Sequence, residues 1–246
     1  MAGGVKGATM GLTITVNFIN RSSDTNNSEV VIFAARPSGP PLHMLRFHNN
    51  SGSTQTFVCF QPAGDPGKGF APAWFAMPVA SGVEVNFTWQ ETYDLCWMET
   101  GPLAPGIQFS ASEVVPAMPG IRNRATLTFT DGIFSFTDQG PGVPPGEFQI
   151  AAQGIPSNTA SIGIGMAGSP IEIVQATPFM TVTFKPFINY WVTVADVAQG
   201  EIMDLSTLRL KAPVVFPPLV TGMTATLAPE GTVIQDLAWT VQQGLV

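Results

Sequence analysis

The stretch Ala125-Thr126-Leu127-Thr128-Phe129-Thr130-Asp131-Gly132-Ile133-Phe134-Ser135-Phe136 sets the fold class. Its first six residues alternate apolar and polar side chains, the period-two pattern of a half-buried strand. Asp131-Gly132 then supplies a two-residue hairpin turn, since type I′ geometry needs positive φ at both central positions. The register tests itself. Pairing Thr130 with Ile133 sets Phe129 across from Phe134 and Leu127 across from Phe136, so four apolar side chains share one face.

Outward from this hairpin, short runs of similar character recur. They cover 12–20, 30–34, 55–60 and 82–89, and later 147–152, 161–166, 171–175, 180–185, 190–194 and 222–227. The 25 Gly and 22 Pro punctuate the chain too often for long helices, and only 201–208 has room for a turn or two of helix. The expected class is all-β.

The chain also echoes itself. Val85, Phe87 and Tyr93 recur as Val182, Phe184 and Tyr190, each 97 positions on. Ala125-Thr126-Leu127 recurs as Ala225-Thr226-Leu227, Gly132 answers to Gly231, and Val114-Val115 near prolines answers to Val214-Val215. The shared order predicts an internal duplication: two related antiparallel β-sandwich-like halves, 12–139 and 147–239. Between them lies Gly140-Pro141-Gly142-Val143-Pro144-Pro145-Gly146, without strand character. The first half is longer, and its surplus maps to a loop insertion near 37–68 that holds His43 and His48.

Charged residues make up 11% of the chain, against about 25% in ordinary soluble domains. Such a surface reads as one that something covers: sister subunits first, then lipid, then a polymeric ligand. The net charge of −7 argues against nucleic acid and against an anionic membrane surface, because both need clustered Lys and Arg. Cys59 and Cys96 lie in apolar surroundings, as buried reduced thiols or as one disulfide in an exported chain. The N-terminal residues lack the apolar core of a secretory signal, and no apolar run is long enough for a membrane helix. The expected location is cytoplasmic, or outside the cell by release without a classical signal peptide.

Catalytic constellations are scarce. The chain has no G-x-S-x-G elbow, and its two histidines read as surface residues of the insertion. Glu91, Asp94 and Glu99, like Asp196, Glu201 and Asp204, follow strands and read as solvated loop residues rather than a glycosidase pair. Gly163-Ile164-Gly165-Met166-Ala167-Gly168 matches G-x-G-x-x-G, but a strand rather than a helix follows it, which removes the pyrophosphate reading. Asp24, Asn26 and Glu29 begin the oxygen alternation of a calcium loop. Glu29 then stands where an EF-hand needs Gly, and turns explain the segment without a metal.

The aromatic cluster is the sharpest candidate. Phe70, Trp74, Phe75, Phe87, Trp89, Tyr93 and Trp97 fall within 28 residues, and Tyr190-Trp191 follows in the second half. Outward rings among Trp74, Phe75, Trp89, Tyr93, Trp97, Tyr190 and Trp191 would serve as ligand platforms or subunit contacts. Inward rings are core, and alternation with Val83 and Val85 places Phe87 and Trp89 there.

Three functional readings result. The first is a non-enzymatic protein that associates with itself into a homo-oligomer or fibre through open sheet edges, which four Lys in the whole chain can hardly protect. The second is a lectin-like carbohydrate-binding module using exposed aromatics. The third is an oligomerising membrane-active protein, although no segment has the amphipathic character that insertion needs.

Overall fold

A computed structural model describes residues 6–9, 12–15, 39–63, 69–186, 189–229 and 237–244. Two compact units are present, Met1–Pro40 and Pro41–Val246. In the first, β1 (Lys6–Thr9) and β2 (Leu12–Thr15) form an antiparallel hairpin with Thr9 opposite Leu12. The predicted strand at 30–34 lies outside the described residues, as do Asp24, Asn26 and Glu29.

The second unit is all-β, with sixteen strands and, among the described residues, no helix. The chain first runs through β3 (Leu42–Asn49), β4 (Gln55–Phe60), β5 (Phe75–Val79), β6 (Glu84–Gln90), β7 (Tyr93–Glu99), β8 (Glu113–Ala117), β9 (Arg124–Thr130) and β10 (Ile133–Gly140). It continues through β11 (Phe148–Gln153), β12 (Ala160–Met166), β13 (Ser169–Gln175), β14 (Thr181–Phe184), β15 (Tyr190–Val194), β16 (Lys211–Val214), β17 (Gly222–Pro229) and β18 (Leu237–Gln243). The β9–β10 hairpin has the register read from sequence, with Phe129 opposite Phe134 and Leu127 opposite Phe136. Asp131 and Gly132 both take positive φ, as a type I′ turn requires. At 201–208, where a helical turn was expected, Ile202 bridges to Pro72, and Thr207 N–H bonds back to Asp204 O in a single turn.

Four four-stranded sheets result, in the orders β10-β9-β11-β14, β13-β12-β7-β8, β16-β15-β4-β5 and β18-β17-β3-β6. Strands β3 to β10 and β11 to β18 are two passes through one pattern. β9 lies parallel to β11 with Ala125 opposite Ile150, and β17 lies parallel to β3 with Ala225 opposite Phe47. Likewise Phe184 faces Phe148 where Phe87 faces Leu45. The Val-Val match is out of register. Pro116 sits opposite Asp94 and Pro213 opposite Trp191, so the prolines are counterparts and Val115 answers to Ala212.

Every four-stranded sheet takes two strands from before the 140–146 segment and two from after it. Strands β7 to β14 build one sandwich, whose sheets meet through Trp97 on Phe134 (5.4 Å between ring centroids) and Tyr93 on Phe148 (5.0 Å). Strands β3 to β6 and β15 to β18 build the other, joined by Phe47 on Phe57 (5.1 Å) and Phe57 on Trp239 (5.5 Å). The link explains this sharing. β10 ends beside the start of β9, so 141–147 need only cross two strand spacings, about 9–10 Å, to begin β11 on the far side. The link is also tied down. The buried Asn123 amide bonds to the carbonyls of Val143 (2.7 Å) and Glu147 (3.1 Å), and its Oδ1 accepts Gly142 N–H.

The region near 37–68, where a loop insertion was expected around the strand at 55–60, holds β3 as well as β4, the first strands of the repeat. In β3 the buried positions are His43, Leu45, Phe47 and Asn49. A His and an Asn stand at inward positions, which breaks the apolar alternation that would have revealed the strand.

Candidate functional site

The aromatic residues converge, but inward. Trp74 is fully buried just before β5; its Nε1 donates to Met166 O at 3.0 Å, and its ring stacks on Tyr190 at 5.7 Å. Trp89 is buried in β6 and donates from Nε1 to Tyr190 Oη at 3.1 Å. Half-buried Phe75 lies against Trp74 and Phe87. Trp97 is 7% exposed, and its Nε1 donates to Glu113 Oε2, which also accepts Phe136 N–H from the facing sheet. Tyr190 and Trp191 point to opposite faces: Tyr190 into the main core, half-buried Trp191 against Val58, Phe60 and Met203. Tyr93 is half-buried, and burial, with Glu91 adding to it, pushes its phenol up to about 12. Burial also raises the Tyr190 phenol. Trp74, Trp89, Trp97 and Tyr190 thus act as core, with no open ring face for a sugar to stack on.

His43 is a buried strand residue, where sequence placed it on the surface. Its Nε2 meets Glu91 Oε1 at 2.8 Å, and its ring lies between Trp89 (5.6 Å) and Phe216 (4.7 Å). Inward placement follows from β3 alternation, since His43 shares the face of Leu45 and Phe47. His48, farther along β3, lies 3.7 Å from Glu84. Asp94 and Glu99 belong to β7 rather than to a solvated loop. Burial raises the Asp94 carboxyl, partly offset by the Gly168 N–H it accepts.

Cys59 and Cys96 are free, buried thiols. Burial raises both, Cys96 to about 12, which removes thiolate character at neutral pH. The G-x-G-x-x-G stretch is strand, turn and strand. A Cβ on Gly163 would meet Glu172 O at 2.5 Å, so this glycine permits close approach of β12 to β13. Among the described residues no group of three or more His, Cys, Asp or Glu is placed to hold a metal ion. No helix among them is long and apolar enough to cross a membrane.

What the fold leaves open is its sheet edges. Among the described residues the four sheets have eight edge strands, of which β13 is bridged by Phe70 at Ile173, and an edge presents N–H and C=O groups to any other strand. Six of the eight carry a charge or a proline inside the strand: Pro78 in β5, Glu84 in β6, Glu113 and Pro116 in β8, Asp138 in β10, Pro170 and Glu172 in β13, Lys211 and Pro213 in β16. β10 and β13 also carry register shifts. β14 (Thr-Val-Thr-Phe) and β18 (Leu-Ala-Trp-Thr-Val-Gln-Gln) have neither a charge nor a proline. Lys185 lies just past the end of β14, paired with Glu147 at 2.8 Å. This distribution was missed in the sequence because which strands are edges depends on the sheet order.

A family model described as RhiA matches residues 40–243, a span that holds all sixteen strands of the second unit. The chain is similar to "Protein RhiA" of Rhizobium leguminosarum bv. viciae, at 32% identity over 195 residues, covering 77% of this chain and 84% of that protein. No solved structure matches.

Proposed function

The chain belongs to the RhiA family, and from that premise we propose that it is a non-enzymatic β-sandwich protein that associates with copies of itself through β14 and β18. One observation carries the reading: six of eight sheet edges are guarded and these two are not. Natural sheet proteins place charges, prolines and bulges on edges to block pairing with other chains. Guards on six edges support the reading that this sequence follows that rule where pairing is to be avoided. An unguarded edge is complementary to its own copy, because two identical strands can pair antiparallel across a two-fold axis. The scarcity of charge supports the same reading, since a surface covered by sister subunits needs less of it. Burial of His43 and of both thiols supports a non-catalytic role, for a base or nucleophile must reach its substrate.

Size-exclusion chromatography with light scattering, at low and at high salt, tests this. The expected result is an assembly larger than 26 kDa that persists in high salt, because backbone and apolar contacts are weakly screened. Thr183→Lys in β14 and Thr240→Lys in β18, both at exposed positions, reduce its size. A wild-type chain that runs as a monomer at all concentrations refutes the reading.

A further inference from the structure

The two repeats differ sharply at two turns. Before β6, Ala80-Ser81-Gly82-Val83 forms a β-turn closed by Val83 N–H on Ala80 O, with Gly82 at φ +79°. Its counterpart before β14, 97 residues on, is Thr177-Pro178-Phe179-Met180, closed by Met180 N–H on Thr177 O, with Phe179 at φ +60°. Before β9, Met118-Pro119-Gly120-Ile121 closes in the same way with Gly120 at φ +72°. Before β17, Pro217-Pro218-Leu219-Val220 has Leu219 at φ +69°. All four are type II turns, whose third residue needs positive φ and is ordinarily Gly or Asn.

The first repeat obeys that preference and the second does not. Phe179 and Leu219 hold a conformation that disfavours bulky side chains, and neither gains burial from it: they are 82% and 99% exposed. Strain with no packing return among the described residues points to a return outside them. Each turn also adjoins an unguarded edge. Phe179 lies two residues before β14 begins. Leu219 lies three residues before Gly222, whose carbonyl accepts Gly244 N–H at the end of β18. Exposed Leu42 lies two residues from Met44, whose N–H bonds to Thr221 O beside that second turn, and exposed Val215 precedes the turn by two residues in the chain. The first-repeat counterparts pair a glycine turn with a guarded edge, Glu84 in β6 and Asp138 in β10.

We infer that Phe179 and Leu219 are the apolar anchors of two contacts between copies of this chain, each seated beside the edge strand that pairs across that contact. The inference rests on the self-association proposed above. The shortage of charge favours a second copy as the occupant, because a partner recognised by charge would find little to bind there. Two separate self-complementary contacts on one chain would extend an assembly in both directions.

Glycine substitution tests this without harming the fold, since it restores the residue that the other repeat uses. Phe179→Gly, Leu219→Gly and the double variant are compared with wild type by light scattering across concentration, with unfolding midpoints measured alongside. Loss of one buried Phe or Leu should weaken its contact about tenfold or more. Each single variant then forms smaller particles than wild type, and the double variant is a 26 kDa monomer with an unfolding midpoint no lower than wild type. Glycine variants that assemble as wild type, while Thr183→Lys and Thr240→Lys do not, overturn the anchors and leave edge pairing standing. A monomeric wild type overturns both. So does a monomeric wild type that floats with phosphatidylcholine vesicles and loses this with Phe179→Gly, which would assign the turns to lipid.

Discussion

Replacing Tyr190 by Phe removes one oxygen from a buried polar contact in the core. That hydroxyl accepts the Trp89 Nε1 proton at 3.1 Å, and its other neighbour is Met166 Sδ at 4.0 Å. Both rings are buried, so no solvent replaces the lost acceptor. An orphaned buried donor costs about 1–3 kcal/mol. At about 2–4 °C per kcal/mol for a chain of this size, the midpoint falls by about 2–12 °C. Urea unfolding at low protein concentration is the suitable assay, because assembly would otherwise add to apparent stability. A shift in midpoint at unchanged slope is the expected form. The stronger check is a double-mutant cycle. With Trp89→Phe already in place there is no indole N–H to orphan, so Tyr190→Phe should cost about 1 kcal/mol less in that background. Equal costs in both backgrounds refute the claim that the hydroxyl serves the indole.

Three further outcomes follow from other contacts. Asn123→Ala removes the amide that bonds to Val143 O, Glu147 O and Gly142 N–H, and should cost about 2–3 kcal/mol by chemical denaturation, with faster hydrogen exchange through 141–147. Gly163→Ala puts a Cβ 2.5 Å from Glu172 O, which forces β12 and β13 apart; a soluble variant with wild-type stability would contradict that packing. In alkali the chain should lose stability. Cys59 and Cys96 are raised from 9.0, and Tyr93 and Tyr190 from 10.0, by burial, so the unfolded chain releases these protons first. Their contribution is constant below about pH 9 and falls as pH rises toward 12; Cys59→Ala with Cys96→Ala should flatten the decline between pH 9 and 10.

The parts of this fold legible in the sequence are those where local pattern and tertiary role agree. The β9–β10 hairpin was readable to the residue because its apolar face, its Asp-Gly turn and its pairing all give one register. β4 and β15 were legible as compact apolar runs. β3 was hidden because His43 and Asn49 occupy inward positions: His43 Nε2 faces Glu91, and the Asn49 amide bonds to the carbonyls of Ser53 and Val79. β7 was hidden for a different reason: Leu95, Cys96 and Trp97 are all buried, so both of its faces are covered and no alternation remains. Counting rings could not say which way they point. Trp74 was one of the rings that could have pointed outward, but it precedes β5 and turns inward toward Tyr190. The exposed anchors were invisible for the opposite reason, since Phe179 and Leu219 read as ordinary apolar residues until their φ is known.

The duplication itself sharpens the argument about edges. A repeated unit supplies its own control, because β6 and β14 hold equivalent places in their sheets, as do β10 and β18. Were edge chemistry dictated by the fold alone, both members of each pair would carry the same devices. They do not. Glu84 on β6 meets Arg46 and His48 across the strand pair, and Asp138 on β10 meets Arg124, so those charges are built into their sheets. The corresponding strands of the second repeat have only Thr, Val and Phe in one case and uncharged residues throughout in the other. Of the eight edges only these two lack both charge and proline, and they lie beside the two turns that exchanged glycine for Phe and Leu. Sharing strands between repeats places one altered edge on each sandwich: β14 on that of β7 to β14, and β18 on the other. Each sandwich thus keeps three guarded edges and one without charge or proline, and the self-association proposed above would use two defined contacts instead of general aggregation.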